Sequence, residues 1–77
     1  MVGKVIVTLV CQGAEFDMEF PAKVQLGQLK PLIVLALESR GLYLPAAFRI
    51  RSRGEQLRET DTLLEAGVWD GSYLEVD

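Results

Sequence analysis

The sequence predicts an α+β fold in which a single helix crosses one mixed sheet. Residues 4–20 combine a β-branched strand with an alternating apolar and acidic strand around a Gln12-Gly13 turn, as in a hairpin. Residues 26–40 instead space their apolar side chains by three and four, and no other window is long enough for a regular helix. Shorter strand patterns follow the helix, and this order is typical of an α+β roll.

Length and composition fit one small domain spanning residues 1–77. The chain is 49% hydrophobic and 25% charged, which is ordinary for a folded domain. Its net charge of −3 argues against nonspecific nucleic-acid binding, because such binding needs a basic face. The single cysteine, Cys11, excludes an internal disulfide and fits a reducing compartment.

Neither a secretory signal nor a membrane span is predicted. The apolar run after Lys4 ends at Gln12, and no cleavage site of small residues follows it. The apolar helix window is interrupted by Lys30 and Pro31 and falls well short of the ~20 residues that a span requires. We therefore expect a cytoplasmic protein without direct membrane insertion.

A two-residue loop at Gln12-Gly13 fixes the expected register of the hairpin. It places the inward apolar side chains of the two strands opposite each other, in the pairs Leu9–Phe16, Val7–Met18 and Val5–Phe20. The acidic residues Glu15, Asp17 and Glu19 then share the wet face. They are expected to be a solvated surface and not a metal site.

The helix carries two sets of apolar side chains. One set follows a single face and is expected to cover the sheet: Leu26, Leu29, Ile33, Ala36 and Leu37. The other set, Leu32, Val34 and Leu35, predicts a contact surface for a partner or a weak homodimer, because a helix on one sheet buries one stripe. The alternative is burial beneath the loop at residues 41–47.

Helix boundaries are expected at two special residues. Pro31 removes a backbone donor, so the first turn is predicted to be irregular and the regular helix to begin at Pro31. Gly41 is the predicted left-handed cap.

After the helix the pattern predicts three strands and one capped turn. A strand at residues 48–53 points Phe48 and Ile50 inward and is followed by a very short strand at residues 56–58. One of the residues Thr60, Asp61 or Thr62 caps a helical turn at residues 63–67, and residues 73–76 form the last strand. The right-handed crossover rule places that strand beside the first one, in the middle of the sheet, as in a β-grasp layout.

Catalytic chemistry is not expected. The chain contains no histidine, which removes Ser-His-Asp and Cys-His catalysis and the usual zinc ligand sets. No phosphate-binding glycine loop occurs, and Cys11 is expected to be an inward strand residue without a neighbour that would lower its pKa. We therefore expect no enzyme activity, no metal and no cofactor.

Two exposed features are candidates for partner binding. Arg49, Arg51 and Arg53 form a basic stripe that would suit an acidic protein partner, or would simply be a solvated face paired with Glu75 and Asp77. Trp69 precedes the last strand and is either an interface anchor or a cover over the edge of its own core.

The spacing of turns and apolar residues resembles that of the ubiquitin superfamily. In the second half the resemblance rests on Gly54-Glu55-Gln56-Leu57, Thr62-Leu63, Gly67-Val68, Asp70-Gly71 and Leu74-Glu75-Val76. In the first half, residues 16–21, Val24, residues 26–31 and Leu44-Pro45 are similar to the YukD/EsaB group. These are small ubiquitin-like proteins of the bacterial type VII (WXG100) secretion system, and the N-terminal ubiquitin-like domain of EccD shows a similar pattern.

This resemblance implies a non-enzymatic protein-interaction module, acting as a cytosolic accessory or regulator of type VII secretion. The alternative is a small ubiquitin-like subunit of another assembly, such as a multicomponent monooxygenase. Conjugation is not expected, because the sequence ends at Asp77 without a Gly-Gly tail. The positions that match ubiquitin's apolar recognition patch are Arg51, Glu75 and Asp77, so a reader of that patch would meet charge instead.

Overall fold

The computed structural model describes residues 3–77, which form one helix and a five-stranded sheet. The helix is α1 (Leu26–Glu38), and the strands are β1 (Lys4–Cys11), β2 (Ala14–Pro21), β3 (Ile50–Ser52), β4 (Glu55–Gln56) and β5 (Tyr73–Val76). The strand order is β2-β1-β5-β3-β4, with β1 and β5 parallel and all other neighbours antiparallel. The predicted β-grasp layout is confirmed, with the last strand beside the first.

The β1–β2 hairpin has the predicted register along its whole length. Cys11 lies opposite Ala14, Leu9 opposite Phe16 and Val5 opposite Phe20. Both loop residues are left-handed, with φ of 50° at Gln12 and 81° at Gly13, as a type I′ turn requires. That turn matches the twist of the flanking strands, so local sequence is enough to fix the pairing.

The start of α1 differs from the prediction. The helix begins at Leu26 and not at Pro31, which lies inside it. Its first turn has no side-chain cap; instead the Leu26 N–H donates to the Asp61 carbonyl (2.8 Å) and the Gly27 N–H to the Glu59 carbonyl (2.9 Å). These bonds satisfy donors that a helix leaves unpaired and hold a regular turn ahead of the proline. The prediction was wrong because the capping groups come from a distant segment.

The end of α1 follows the predicted glycine cap. Gly41 has φ of 78°, the Leu42 N–H donates to the Leu37 carbonyl (2.9 Å), and the Gly41 N–H donates to the Glu38 carbonyl (3.0 Å). This is the Schellman pattern, in which a left-handed residue lets the chain turn back on the last carbonyls.

The core lies between α1 and the concave face of the sheet. Four helix residues are fully buried, namely Leu26, Leu29, Ile33 and Leu37, while Ala36 is half-buried. They meet inward side chains from the strands, including Phe20, Ile50, Leu74 and Val76. Within residues 3–77 the buried set is entirely apolar, so the core needs no internal polar network.

The β3–β4 hairpin is shorter than the sequence pattern suggested. β3 covers Ile50–Ser52 and not residues 48–53, and β4 covers Glu55–Gln56 and not residues 56–58. Arg53 and Gly54 have φ of 55° and 80°, so they form a second tight turn and cannot extend the strand. Apolar and polar residues keep alternating through such a turn, so the sequence pattern predicted a longer strand than the one observed.

The predicted cap at residues 60–62 is Thr62. The Glu65 N–H donates to Thr62 Oγ1 (3.0 Å), and the Thr62 N–H donates to Glu65 Oε1 (3.1 Å). These reciprocal bonds form a capping box around a single turn of chain that ends at Gly67, where φ is 74°. The turn carries Leu63 and Val68 into the core.

Thr62→Ala is expected to lower the free energy of unfolding by about 1 kcal/mol, because it leaves the Glu65 N–H without its side-chain acceptor. Urea denaturation followed by far-ultraviolet circular dichroism measures the change. Thr62→Ser keeps the hydroxyl and serves as the control. Equal loss in both variants would contradict a capping role.

Candidate functional site

The outer face of the sheet, which points away from α1, carries a cluster of large exposed side chains. Trp69 is 63% exposed and Tyr73 is 56% exposed, and Ile6 is also exposed. Together with Arg53 they form what we call the outer-face patch. Exposure of this much aromatic surface is unusual enough in a small domain to mark a candidate contact site.

The sheet register explains why Tyr73 belongs to this patch. Tyr73 lies beside Thr8 in the parallel β1–β5 pair, and Leu74 lies beside Leu9. Because side chains alternate along a strand, Leu74 is buried while Tyr73 points outward. Ile6 precedes Thr8 by two positions and therefore shares the outward face of β1.

Trp69 is held by a turn that is bonded tightly to β1. The Ile6 N–H donates to Asp70 Oδ1 (2.8 Å), and the Gly71 N–H donates to the Ile6 carbonyl (2.8 Å). Within the turn, the Trp69 N–H donates to Ser72 Oγ (2.9 Å), and Gly71 adopts a φ of 88° that other residues rarely accept. The Trp69 backbone is thus fixed while its side chain lies in solvent.

Arg53 joins the patch from the β3–β4 turn. Arg51 lies opposite Glu75 in the antiparallel β3–β5 pair, and Arg53 follows in the turn just after β3. Arg53, Trp69 and Tyr73 line one open groove of ≈ 620 Å³. Asp70 and Glu75 also line it, so the groove offers both signs of charge around an aromatic centre.

The three arginines of the predicted basic stripe lie in different surroundings. Arg51 Nη1 lies 2.8 Å from Asp77 Oδ2, so its charge is paired. Arg49 lines a different cleft, at the β3–β4 edge, and only Arg53 reaches the outer-face patch. The Asp77 N–H also donates to the Arg49 carbonyl (3.0 Å). The partner-binding role of Arg49, Arg51 and Arg53 stays a prediction.

The three residues of the second apolar set of α1 differ in their exposure. Leu32 is 49% exposed and Leu35 is 64% exposed, whereas Val34 is half-buried and packs against the core. In the loop that follows, Leu42 and Leu44 pack against the same core and Tyr43 is exposed. Of the second apolar set, only Leu32 and Leu35 are therefore exposed. The binding role of Leu32, Val34 and Leu35 stays a prediction.

Sequence reasoning did not single out Tyr73. A signal was present, since Tyr73-Leu74-Glu75-Val76 alternates and puts an aromatic residue in the exposed register. The pattern could not identify the neighbours of Tyr73, because Arg53 and Trp69 approach it only when β5 pairs with β3 and β1.

The described residues offer little for covalent or metal chemistry. Cys11 is buried, and burial, together with the negative charge of Asp77, raises the pKa of its thiol. Residues 3–77 contain no group of three or more cysteine, aspartate or glutamate side chains arranged to hold a metal ion. No helix in that range is long and apolar enough to cross a membrane.

Comparison with known protein families identifies the family of this chain. Residues 4–76 match the family described as "WXG100 protein secretion system (Wss), protein YukD". The chain belongs to the YukD family. No curated protein matches the YukD-family chain significantly.

Solved structures support the ubiquitin-like fold of this YukD-family chain. The ubiquitin-like domain of the Mycobacterium tuberculosis type VII secretion protein EccD1 superposes with a TM-score of 0.81 at 23% identity, covering 97% of this chain and 98% of that one. The EccD5 domain from Mycobacterium xenopi gives 0.79 at 20% identity, with 96% and 92% covered. Ubiquitin from Caldiarchaeum subterraneum gives 0.74 at 22% identity, with 96% and 91% covered.

Asp70→Ala is expected to loosen the turn that carries Trp69, because the Ile6 N–H loses its acceptor. Hydrogen exchange at the Ile6 amide should accelerate, and unfolding should cost about 1 kcal/mol less. Asp70→Asn retains an oxygen at the same position and should exchange more slowly than Asp70→Ala. An unchanged Ile6 exchange rate in the alanine variant would refute the anchoring role.

Cys11 should resist alkylation in the folded protein, because burial shields the thiol and its raised pKa reduces the thiolate fraction. Iodoacetamide near neutral pH should modify it at least about tenfold more slowly than in the urea-unfolded chain. Mass spectrometry follows the reaction. Comparable rates in the two states would show that the thiol is accessible.

Proposed function

We propose that this YukD-family chain is a cytoplasmic, non-enzymatic docking subunit of a bacterial type VII secretion system. It binds another protein component through the outer-face patch of Ile6, Arg53, Trp69 and Tyr73. The observation that carries the proposal is the fixed, exposed Trp69 beside Tyr73 and Arg53 on one groove.

The composition of the patch favours protein binding. Tryptophan, tyrosine and arginine are the residues that most often dominate interface energies, since each covers a large area and also offers a hydrogen-bond donor. Trp69 is held by bonds at residues 69–72, so its backbone has little freedom left to lose on binding. Such a patch suits a partner with an apolar projection and an acidic neighbour for Arg53.

The recognition surface differs from the one that apolar-patch readers of ubiquitin use. Arg51 and Asp77 form an ion pair there, and Glu75 lies opposite Arg51. An exposed pair of this kind contributes only about 0–1 kcal/mol to stability. Its effect is on selectivity, since an apolar partner surface would have to desolvate charge at these positions.

The family supports the assignment to type VII secretion. Two solved relatives in fold are described as ubiquitin-like domains of EccD proteins, and one of them as part of a type VII secretion system. We infer that this chain acts by docking within such an assembly.

Pull-down from native lysate tests the proposal, and WXG100 proteins and an FtsK-like ATPase are the components expected to be recovered. Trp69→Ala and Tyr73→Ala should each reduce recovery by at least about tenfold, because they truncate the anchors of the patch. Tyr43→Ala is the matched control, since Tyr43 is a 69% exposed tyrosine outside the patch. Arg49→Ala is the matched control for Arg53→Ala, since Arg49 lies outside the patch.

Leu32→Glu and Leu35→Glu complete the experiment and compare the helix surface with the patch. If these two variants abolish capture while the patch variants retain it, the docking surface lies on α1 and the proposed surface is wrong. Recovery of a di-iron hydroxylase in place of secretion components would overturn the assignment to secretion.

A further inference from the structure

The β2 strand leaves a long free edge on the sheet. It pairs with β1 over all eight of its residues and stands at the end of the strand order, whereas β4 at the opposite end has only two residues. A free edge presents unpaired backbone donors and acceptors and can template another strand. The side chains around this edge indicate which kind of strand could pair with β2.

Hairpin geometry identifies the backbone groups that face outward. Residues next to a two-residue loop exchange backbone hydrogen bonds, and bonded and non-bonded pairs then alternate along the ladder. Cys11 and Ala14 are that first pair. The N–H and C=O groups of Glu15, Asp17 and Glu19 therefore point to the free edge. Pro21 follows in the same register, where its missing donor breaks no bond to β1.

The same three residues place their carboxylates on the outer face of the sheet. Glu19 lies 3.6 Å from Lys4 Nζ, and Asp17 Oδ1 accepts a hydrogen bond from Thr8 Oγ1 (2.8 Å). Lys4 thus pairs with only one of the three carboxylates, so this edge of the sheet is acidic. Any added strand would bring its own alternate side chains beside them.

The inner side of the edge is apolar. Phe16 and Met18 are only partly buried, although both point toward α1. Arg40, two residues beyond the end of α1, lies over the Phe16 ring, 4.7 Å from its centroid. The inner side of the edge therefore carries accessible apolar surface at Phe16 and Met18.

We propose that the β2 edge binds an extended segment of a partner protein that alternates basic and apolar residues, added as an antiparallel strand. Its basic side chains lie on the outer face against Glu15, Asp17 and Glu19. Its apolar side chains lie on the inner face of the sheet beside Phe16 and Met18. Backbone hydrogen bonds supply affinity, and the alternation supplies specificity.

Charge excludes a second copy of this chain as the occupant. Antiparallel pairing of two β2 strands would bring the acidic side chains of one copy directly beside those of the other. Like charges in such positions destabilise a strand pair. The carboxylates thus protect the edge from self-association while they select a basic partner.

The β2 edge meets the outer-face patch only at Ile6, which lies opposite Glu19, while β1 separates β2 from Tyr73 on β5. It is a second docking surface, and its test does not depend on the proposed function. A complete secretion component could use both surfaces, whereas a short peptide probe reports on the edge alone.

A fluorescein-labelled peptide of four lysines alternating with three valines is the probe, with binding to the whole chain measured by fluorescence anisotropy. Backbone N-methylation of the lysines should weaken binding by at least about tenfold, because lysine amides face β2 in this register. N-methylation of the valines is the matched control, since those amides point away. A glutamate–valine peptide should also bind at least about tenfold more weakly.

Two readouts on the protein complete the test. Hydrogen exchange should slow at the amides of Glu15, Asp17 and Glu19 when the lysine–valine peptide binds. Glu15→Lys should weaken binding, while Glu55→Lys on the opposite edge should not. Equal affinity for the two N-methylated peptides, protection confined to other residues, or a peptide-free dimer that protects the same three amides would each overturn the proposal.

Discussion

The pairing of β5 with both β1 and β3 is the constraint on which the rest of the structure depends. Without Tyr73–Val76, the sheet would be two unconnected hairpins, because β1 and β3 touch only through this strand. The bond that ties its preceding turn to β1, from the Ile6 N–H to Asp70, joins residues 64 positions apart. Closing so long a loop is entropically unfavourable, and burial of Leu74 and Val76 against α1 offsets that cost.

The same pairing creates the surface proposed to bind a partner. Insertion of β5 beside β1 turns Tyr73 outward and anchors the turn that carries Trp69. Insertion beside β3 brings Arg53 to the same groove. The residues that complete the fold thus also complete the candidate site, and a change that weakens β5 pairing should disturb both together.

Charge gives the outer face of the sheet a distinct character on each side. The β2 edge is acidic, the side formed by β3 and the end of β5 holds the Arg51–Asp77 pair, and the groove beside β5 combines Arg53 with aromatic side chains. A ubiquitin-like fold is therefore presented with a surface unlike ubiquitin's apolar patch. Since recognition depends on surface chemistry and not on fold, likeness in backbone says little about which partner is bound.

Several features were determined by the sequence itself, because they depend on short-range geometry. The register of the β1–β2 hairpin, the glycine cap at Gly41, the last strand and the buried stripe of α1 were all predicted correctly. Side-chain periodicity and the conformational freedom of glycine report such features without knowledge of distant residues.

Only the tertiary structure decided the remainder. The helix begins ahead of Pro31 because carbonyls at Glu59 and Asp61 receive its first donors. Val34 is half-buried while Leu35 is exposed, and Arg53, Trp69 and Tyr73 meet on one groove. Each of these outcomes depends on contacts between segments far apart in the chain, and local patterns carry no information about such contacts.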